Sequence, residues 1–248
     1  MVKGLDTFQK YFADYEEQYV LIGGAACDIL FESNEVNFRA TRDLDMVLIV
    51  EALTPEFGEM FWKFIVDGKY RNKATNGSNP QFYRFDKPED DNFPKMIELF
   101  CRSDFKLKDA KGITPIHIDD EVSSLSAILL NDAYYKALLN GKEVRKGLSV
   151  LRPEYIILFK AKAYLDLKKQ KDLGEKVDSS DIKKHKKDVL RIALELMLEK
   201  VEELPTAVDA DIHSFIDLLE QEPFDQNSLE RYGLKNEDIV ELLKQVFG

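Results

Sequence analysis

The stretch DLDMVLIV, residues 43–50, has the length and β-branched character of a buried strand, yet it begins with two acids one residue apart. A strand turns successive side chains to opposite faces, so Asp43 and Asp45 share one face and Leu44 and Met46 the other. Arg39 and Thr41 continue the acidic parity. Two carboxylates about 7 Å apart on one strand face are costly to keep ionised in a buried site unless a cation lies between them. Two arrangements satisfy them. One is a hard divalent ion, Mg²⁺ (or Mn²⁺), which takes one or two protein carboxylates together with substrate phosphates. The other is metal-free, with the acids capping a loop or paired to Arg39 or Arg42.

The elements around this strand alternate in type. LDTFQKYFADYEEQ places Phe8, Phe12 and Tyr15 at helical spacing, and YVLIGG reads as a short strand closed by Gly23 and Gly24. AACDILFE resumes a helical pattern. After DLDMVLIV, Thr54 and Pro55 form the cap and first turn of a helix that ends near Gly68. QFYRF and PKMIELFC are further strands, with ITPIHI and LSAILL as weaker ones. Beyond residue 150 the pattern is helical throughout. RPEYIILFKAKAYLDLKKQ carries Ile156, Phe159, Ala163 and Leu167 on one face. DIKKHKKDVLRIALELMLEKV follows, capped by Ser179 or Ser180, and DADIHSFIDLLEQ and NEDIVELLKQVF complete the chain. The expected fold is α+β: a mixed β-sheet with flanking helices over residues 1–150, then a C-terminal helical bundle over 151–248. KKQKDLGEKVDSSD, near 168–181, looks the most flexible.

Two acids become more informative beside a third. Glu98 lies in PKMIELFC with Ile97 and Leu99 on the opposite parity, and if its strand pairs with DLDMVLIV it joins Asp43 and Asp45. Three acids around a cation suit phosphoryl transfer. The strand–GG–helix unit at VLIGGAACDIL either packs a helix tightly on a strand, or lets the backbone approach an anion at a helix N-terminus.

Taken together, Gly23, Gly24 and Ala26, then Arg39-x-Thr41-x-Asp43-x-Asp45, then Glu98, resemble the DNA polymerase β-type nucleotidyltransferase superfamily. Within it, the R-x-T-x-D-x-D form and the helical C-terminal part look most like the AbiEii/AbiGii toxin-like group. Lys160-x-x-Ala163 and Lys187-Asp188 match that group's later motifs. The resemblance implies a nucleotidyltransferase-like fold and a Mg²⁺-dependent enzyme that moves a nucleoside monophosphate from an NTP, such as ATP, to an acceptor hydroxyl. The acceptor would be an RNA 3′ end, a protein or a small molecule. It implies nucleotide contacts from Gly23, Gly24, Arg39 and Thr41, and metal ligation and catalysis by Asp43, Asp45 and Glu98. Lys160 and Asp188 would act from the helical part. A toxin-like role with a cognate antitoxin protein also follows, and so does a rival: a catalytically silent relative acting as a binding partner. Lys162 competes with Lys160 for the lysine role, and Arg39 serves equally to neutralise the acids of a metal-free site. The chain departs from the family at Ala25, where a hydroxyl residue is usual.

Charge narrows the partners. The net charge of −11 disfavours a protein that coats long nucleic acid. Its distribution is uneven: residues 142–191 hold 15 basic and 8 acidic side chains, and residues 192–248 hold 4 basic and 14 acidic. The basic segment is either a solvated helix face or a patch for a polyanion. No apolar run approaches the roughly 20 residues of a membrane span. MVKGLDTFQKYF lacks the layout of an export signal, and Cys27 and Cys101 sit in apolar elements as free thiols. The expected setting is cytoplasmic.

Overall fold

The computed structural model describes residues 3–33, 43–72, 82–100 and 131–248. Arg39, Thr41, Cys101 and the weaker strands ITPIHI and LSAILL lie outside them.

The alternation in DLDMVL settles into strand β2, Asp43–Leu48, with Leu44 and Met46 fully buried and Asp43 and Asp45 only half-buried. On one side β2 pairs antiparallel with β1, Tyr19–Ile22. On the other it pairs in parallel with Met96–Phe100, the fifth strand in chain order (β5). Among the described residues the sheet has seven strands in the order β3-β4-β5-β2-β1-β7-β6, where β3 is Arg71–Asn72, β4 is Phe82–Asp86, β6 is Lys142–Arg145 and β7 is Leu148–Leu151. The β5–β2 and β1–β7 pairs are parallel and the others antiparallel, so the sheet is mixed.

One sheet face is apolar. Tyr19, Leu44, Met46, Phe85, Ile97 and Leu99 are buried there, and aromatic helices cover it. Helix α1, Leu5–Phe12, and helix α3, Pro55–Asp67, meet through Phe12 and Phe64, whose ring centroids are 5.4 Å apart. Phe8 reaches Tyr19 at 5.6 Å and Phe61 reaches Phe85 at 5.5 Å. Each such ring contributes about 1.5–3 kcal/mol by leaving water. Helix α1 is shorter than the spacing through Tyr15 suggests. It ends at Phe12, and Tyr15 packs from a turn on Phe12 and Phe57 instead. Thr54 caps α3 as expected, its hydroxyl accepting from the Phe57 N–H. Between β1 and β2 runs helix α2, Gly23–Ser33, on which Cys27 is a buried free thiol.

The hairpin β6–β7 is a feature that the helix and strand periodicities do not announce. Lys146 and Gly147 form its two-residue turn, with φ of 51° and 69°. Two positive φ values are what a type I′ turn requires.

The described residues divide into two units. One comprises 3–100 with Lys142–Leu151, and the other 131–141 with Arg152–Gly248. In the second, helix α4, Asp132–Asn140, packs on α7, Thr206–Gln221. Helix α5, Pro153–Asp172, is central, contacting α6, Ser179–Glu195, and α7. Helix α9, Asn236–Phe247, leans on α7 and α6, and the short α8, Gln226–Glu230, precedes it. Ile156, Ile157, Leu158 and Phe159 are consecutive and all buried, so the first turns of α5 are covered on all sides rather than along the one face the spacing suggests, while its last turn is exposed. The cap of α6 is Asp178, not Ser179 or Ser180. Its carboxylate accepts from the Ser180 N–H at 2.8 Å, and that bond holds its pKa below the usual value. A carboxylate caps as well as a hydroxyl and adds charge that the helix N-terminus favours. Among the described residues no helix is long and apolar enough to cross a membrane.

Candidate active site

Strand register brings the acids together. Asp45 of β2 lies directly opposite Glu98 of β5, and Glu98 lies opposite Arg84 of β4, so the three form one row across the sheet. The next row runs Asp43, Met96, Asp86. All these residues share the face opposite the apolar one, because parity is common to paired neighbours. Strands stand about 4.8 Å apart, which brings the Asp45 and Glu98 side chains within reach of each other.

Glu98 is the buried member, its side chain 12% exposed. Burial raises its pKa, and the negative charge of Asp43 raises it further. Arg84 works against both, and a hydrogen bond with Asp45 also lowers it. Arg84 donates from Nε at 2.8 Å and approaches from Nη2 at 2.5 Å, both to Oε1 of Glu98. A guanidinium thus provides the counter-charge at this acid. Among the described residues no three carboxylate, imidazole or thiol side chains close around a single point as a preformed metal cage. Asp43 and Asp45 could hold Mg²⁺, which needs only one or two protein carboxylates when a phosphate completes its shell.

Beside this face begins helix α2. Gly23 is its first residue, has φ of +60°, and packs so closely that a Cβ there would collide with Oδ2 of Asp45. The glycine is required twice, for the left-handed backbone and for the contact. It sets the positive end of α2 against the acidic face, an arrangement suited to holding phosphate. Gly24 is buried behind it, and so is Ala25, with no exposed surface. Gly23→Ala is expected to cost about 1–2 kcal/mol for the left-handed backbone alone, and more for the clash. Thermal denaturation should show a fall in Tm of at least about 2–8 °C.

Lys160 and Asp188 lie in the helical unit and pair with each other. Nζ to Oδ2 is 2.9 Å, and the side chains are 12% and 6% exposed. Lys162 points elsewhere, to Asp166 at 3.1 Å and Asp211 at 3.3 Å, and burial is the largest influence on it though its acids prevail and raise its pKa. Its separation from Lys160 follows from helical rotation. Arg84 and Asp86 are the residues of the acidic face that sequence reasoning missed; alternate charged positions in YRFD carried the signal.

No family profile matches this sequence, and no curated protein does. Among solved structures it is similar to an antigenic nucleotidyltransferase-like protein from Paracoccidioides brasiliensis, at 13% identity and a TM-score of 0.46, over 99% of this chain and 95% of that one. Such a likeness assigns no residue of this chain a role.

Proposed function

We propose that the chain is a nucleotidyltransferase whose site is the acidic face of β2 and β5 together with the start of α2. The observation that carries this reading is the row Asp45–Glu98, with Asp43 on the same face and Gly23 set against Asp45. Asp43 and Asp45 would hold Mg²⁺ or Mn²⁺, which supplies Lewis-acid charge to the phosphates and lowers the pKa of an attacking hydroxyl. The N–H groups at the start of α2 would receive the triphosphate. In the transfer, the acceptor oxygen bonds to the α-phosphorus, the bond to the bridging oxygen of pyrophosphate breaks, and pyrophosphate leaves. Glu98, its pKa raised by burial, is suited to take the acceptor's proton. For that, Arg84 must loosen its hold on Oε1.

The finer reading is an AbiEii/AbiGii-type, toxin-like enzyme with an RNA, protein or small-molecule acceptor and a cognate antitoxin protein. The R-x-T-x-D-x-D spacing supports it, as does Lys160-x-x-Ala163 with Asp188. In that reading Arg39, Thr41 and Gly24 contact the nucleotide, and Lys160 and Asp188 assist. The pairing of Arg84 with Glu98 favours one alternative, a silent relative that keeps the fold without turnover.

Thermal stabilisation tests whether the site holds a nucleotide at all. With NTP and Mg²⁺ at about 100 times the dissociation constant, binding adds about 2.7 kcal/mol, a rise of about 5–10 °C in Tm. The rise should vanish with EDTA and in Asp45→Asn. A protein whose Tm ignores every metal–NTP combination does not hold a nucleotide at these acids.

A further inference from the structure

A concave site lies wholly within the helical unit. Helices α5 and α6 and the residues after α7 line an open cleft of about 340 Å³, within the range of small-molecule sites. Four lysines line it, Lys168 and Lys171 from α5 and Lys183 and Lys186 from α6, against two carboxylates, Asp172 and Glu222. This excess of cations is local, since residues 192–248 are strongly acidic.

The cleft already grips one oxyanion. The Glu222 carboxylate accepts from the Tyr164 hydroxyl at 2.9 Å and from the Lys168 ammonium, and these bonds hold its pKa below the usual value. Lys186, half-buried, donates to the carbonyl oxygens of Glu222 and Pro223, and lies 6.0 Å and 5.4 Å from the ring centres of Tyr164 and Phe224. Its pKa is lowered, chiefly by burial and further by Lys168, while Glu222 opposes the shift. Carbonyl dipoles and ring faces stabilise an ammonium less than a full negative charge does. Lys171, bonded to Ser179 at 2.6 Å, and Lys183 are exposed at the same cleft.

We propose that this cleft binds a small polyphosphate anion, with the side chain of Glu222 as its internal competitor. Lysines on flexible stems act as point charges that follow a chain of phosphates, whereas a planar guanidinium fork would select one carboxylate or phosphate. A bounded volume suits a short ligand. The net charge of −11 works against an extended nucleic acid, whose binding rests on neutralising many phosphates. The site goes beyond the nucleotidyl-transfer reading and does not depend on it.

Titration calorimetry of the full chain with inorganic tripolyphosphate tests the proposal, in EDTA so that no metal–phosphate complex forms. One saturable site is expected. The double variant Lys171→Ala/Lys183→Ala should weaken it by about tenfold or more, and Glu222→Gln should tighten it. Both changes are made at exposed or partly exposed positions, so folding should survive them, and a melting curve checks this. No saturable binding would overturn the proposal, as would binding that the double lysine variant leaves unchanged. A single-stranded oligonucleotide that binds through these lysines far more tightly than tripolyphosphate would overturn it too, in favour of a nucleic-acid surface.

Discussion

Alanine at Asp43 or Asp45 is expected to lower nucleotidyl transfer by about a thousandfold or more, while the protein still melts close to the parent temperature. The loss follows from the chemistry. A divalent ion held by these carboxylates would supply several kcal/mol of transition-state stabilisation, and each 1.4 kcal/mol or so is about tenfold in rate. Retention of the fold follows from the structure. Both acids are only half-buried, and the apolar residues that build β2, Leu44 and Met46, point to the other face. Removing Asp43 also takes away a charge that disfavours ionised Glu98. Transfer kinetics with a melting curve for each variant check both halves. A folded Asp45→Ala protein that retains parental activity would exclude these acids from the chemistry.

A different response is expected at Lys160. Its ammonium faces Asp188 in the packed region of α5 and α6, where both side chains are almost wholly excluded from water. Lys160→Met leaves the Asp188 carboxylate buried without its ammonium, a change that costs about 3–5 kcal/mol in comparable pairs. The melting temperature should fall by about 10 °C. Replacing both members, as Lys160→Met with Asp188→Leu, should recover most of the loss, because the buried carboxylate that lost the Lys160 ammonium is gone too. The double variant also tests the catalytic role proposed for these two residues. Folded but inactive, it places them in the reaction; folded and active, it leaves them as a structural pair. A Lys160→Met protein that melts with the parent would mean that the pair adds nothing to stability.

What the sequence disclosed and what it hid have separate physical origins. Strand β2 was legible because its parity alternates cleanly and its core face is apolar. The strand at Glu98 was legible for the same reason. That Asp45 and Glu98 stand side by side is a matter of register between strands about fifty residues apart, and local periodicity does not encode it. Arg84 was hidden likewise: within QFYRF it reads as one polar position on a strand, and only the pairing of β4 with β5 turns it toward Glu98. The hairpin of β6 and β7 was missed because its turn is Lys-Gly rather than the commoner Asn-Gly or Asp-Gly. The long helices were clear from their spacing. The burial of the first turns of α5 on every side was not, since it depends on how many neighbours a helix acquires. The glycine pair is the instructive case. Of its two sequence readings, the structure shows the tight packing: Gly23 packs against an acid and sets the start of α2 beside it, and phosphate approach there belongs to the proposed function.

Asp43, Asp45 and Glu98 are the proposed nucleotidyl-transfer site. Incubation of the protein with each α-³²P-labelled NTP, Mg²⁺ or Mn²⁺, and total RNA or cell lysate tests it most directly. Label is expected on one class of acceptor, dependent on the metal and lost in folded Asp43→Ala and Asp45→Ala proteins. Absence of label on any acceptor, with no metal-dependent stabilisation by any NTP, would contradict it.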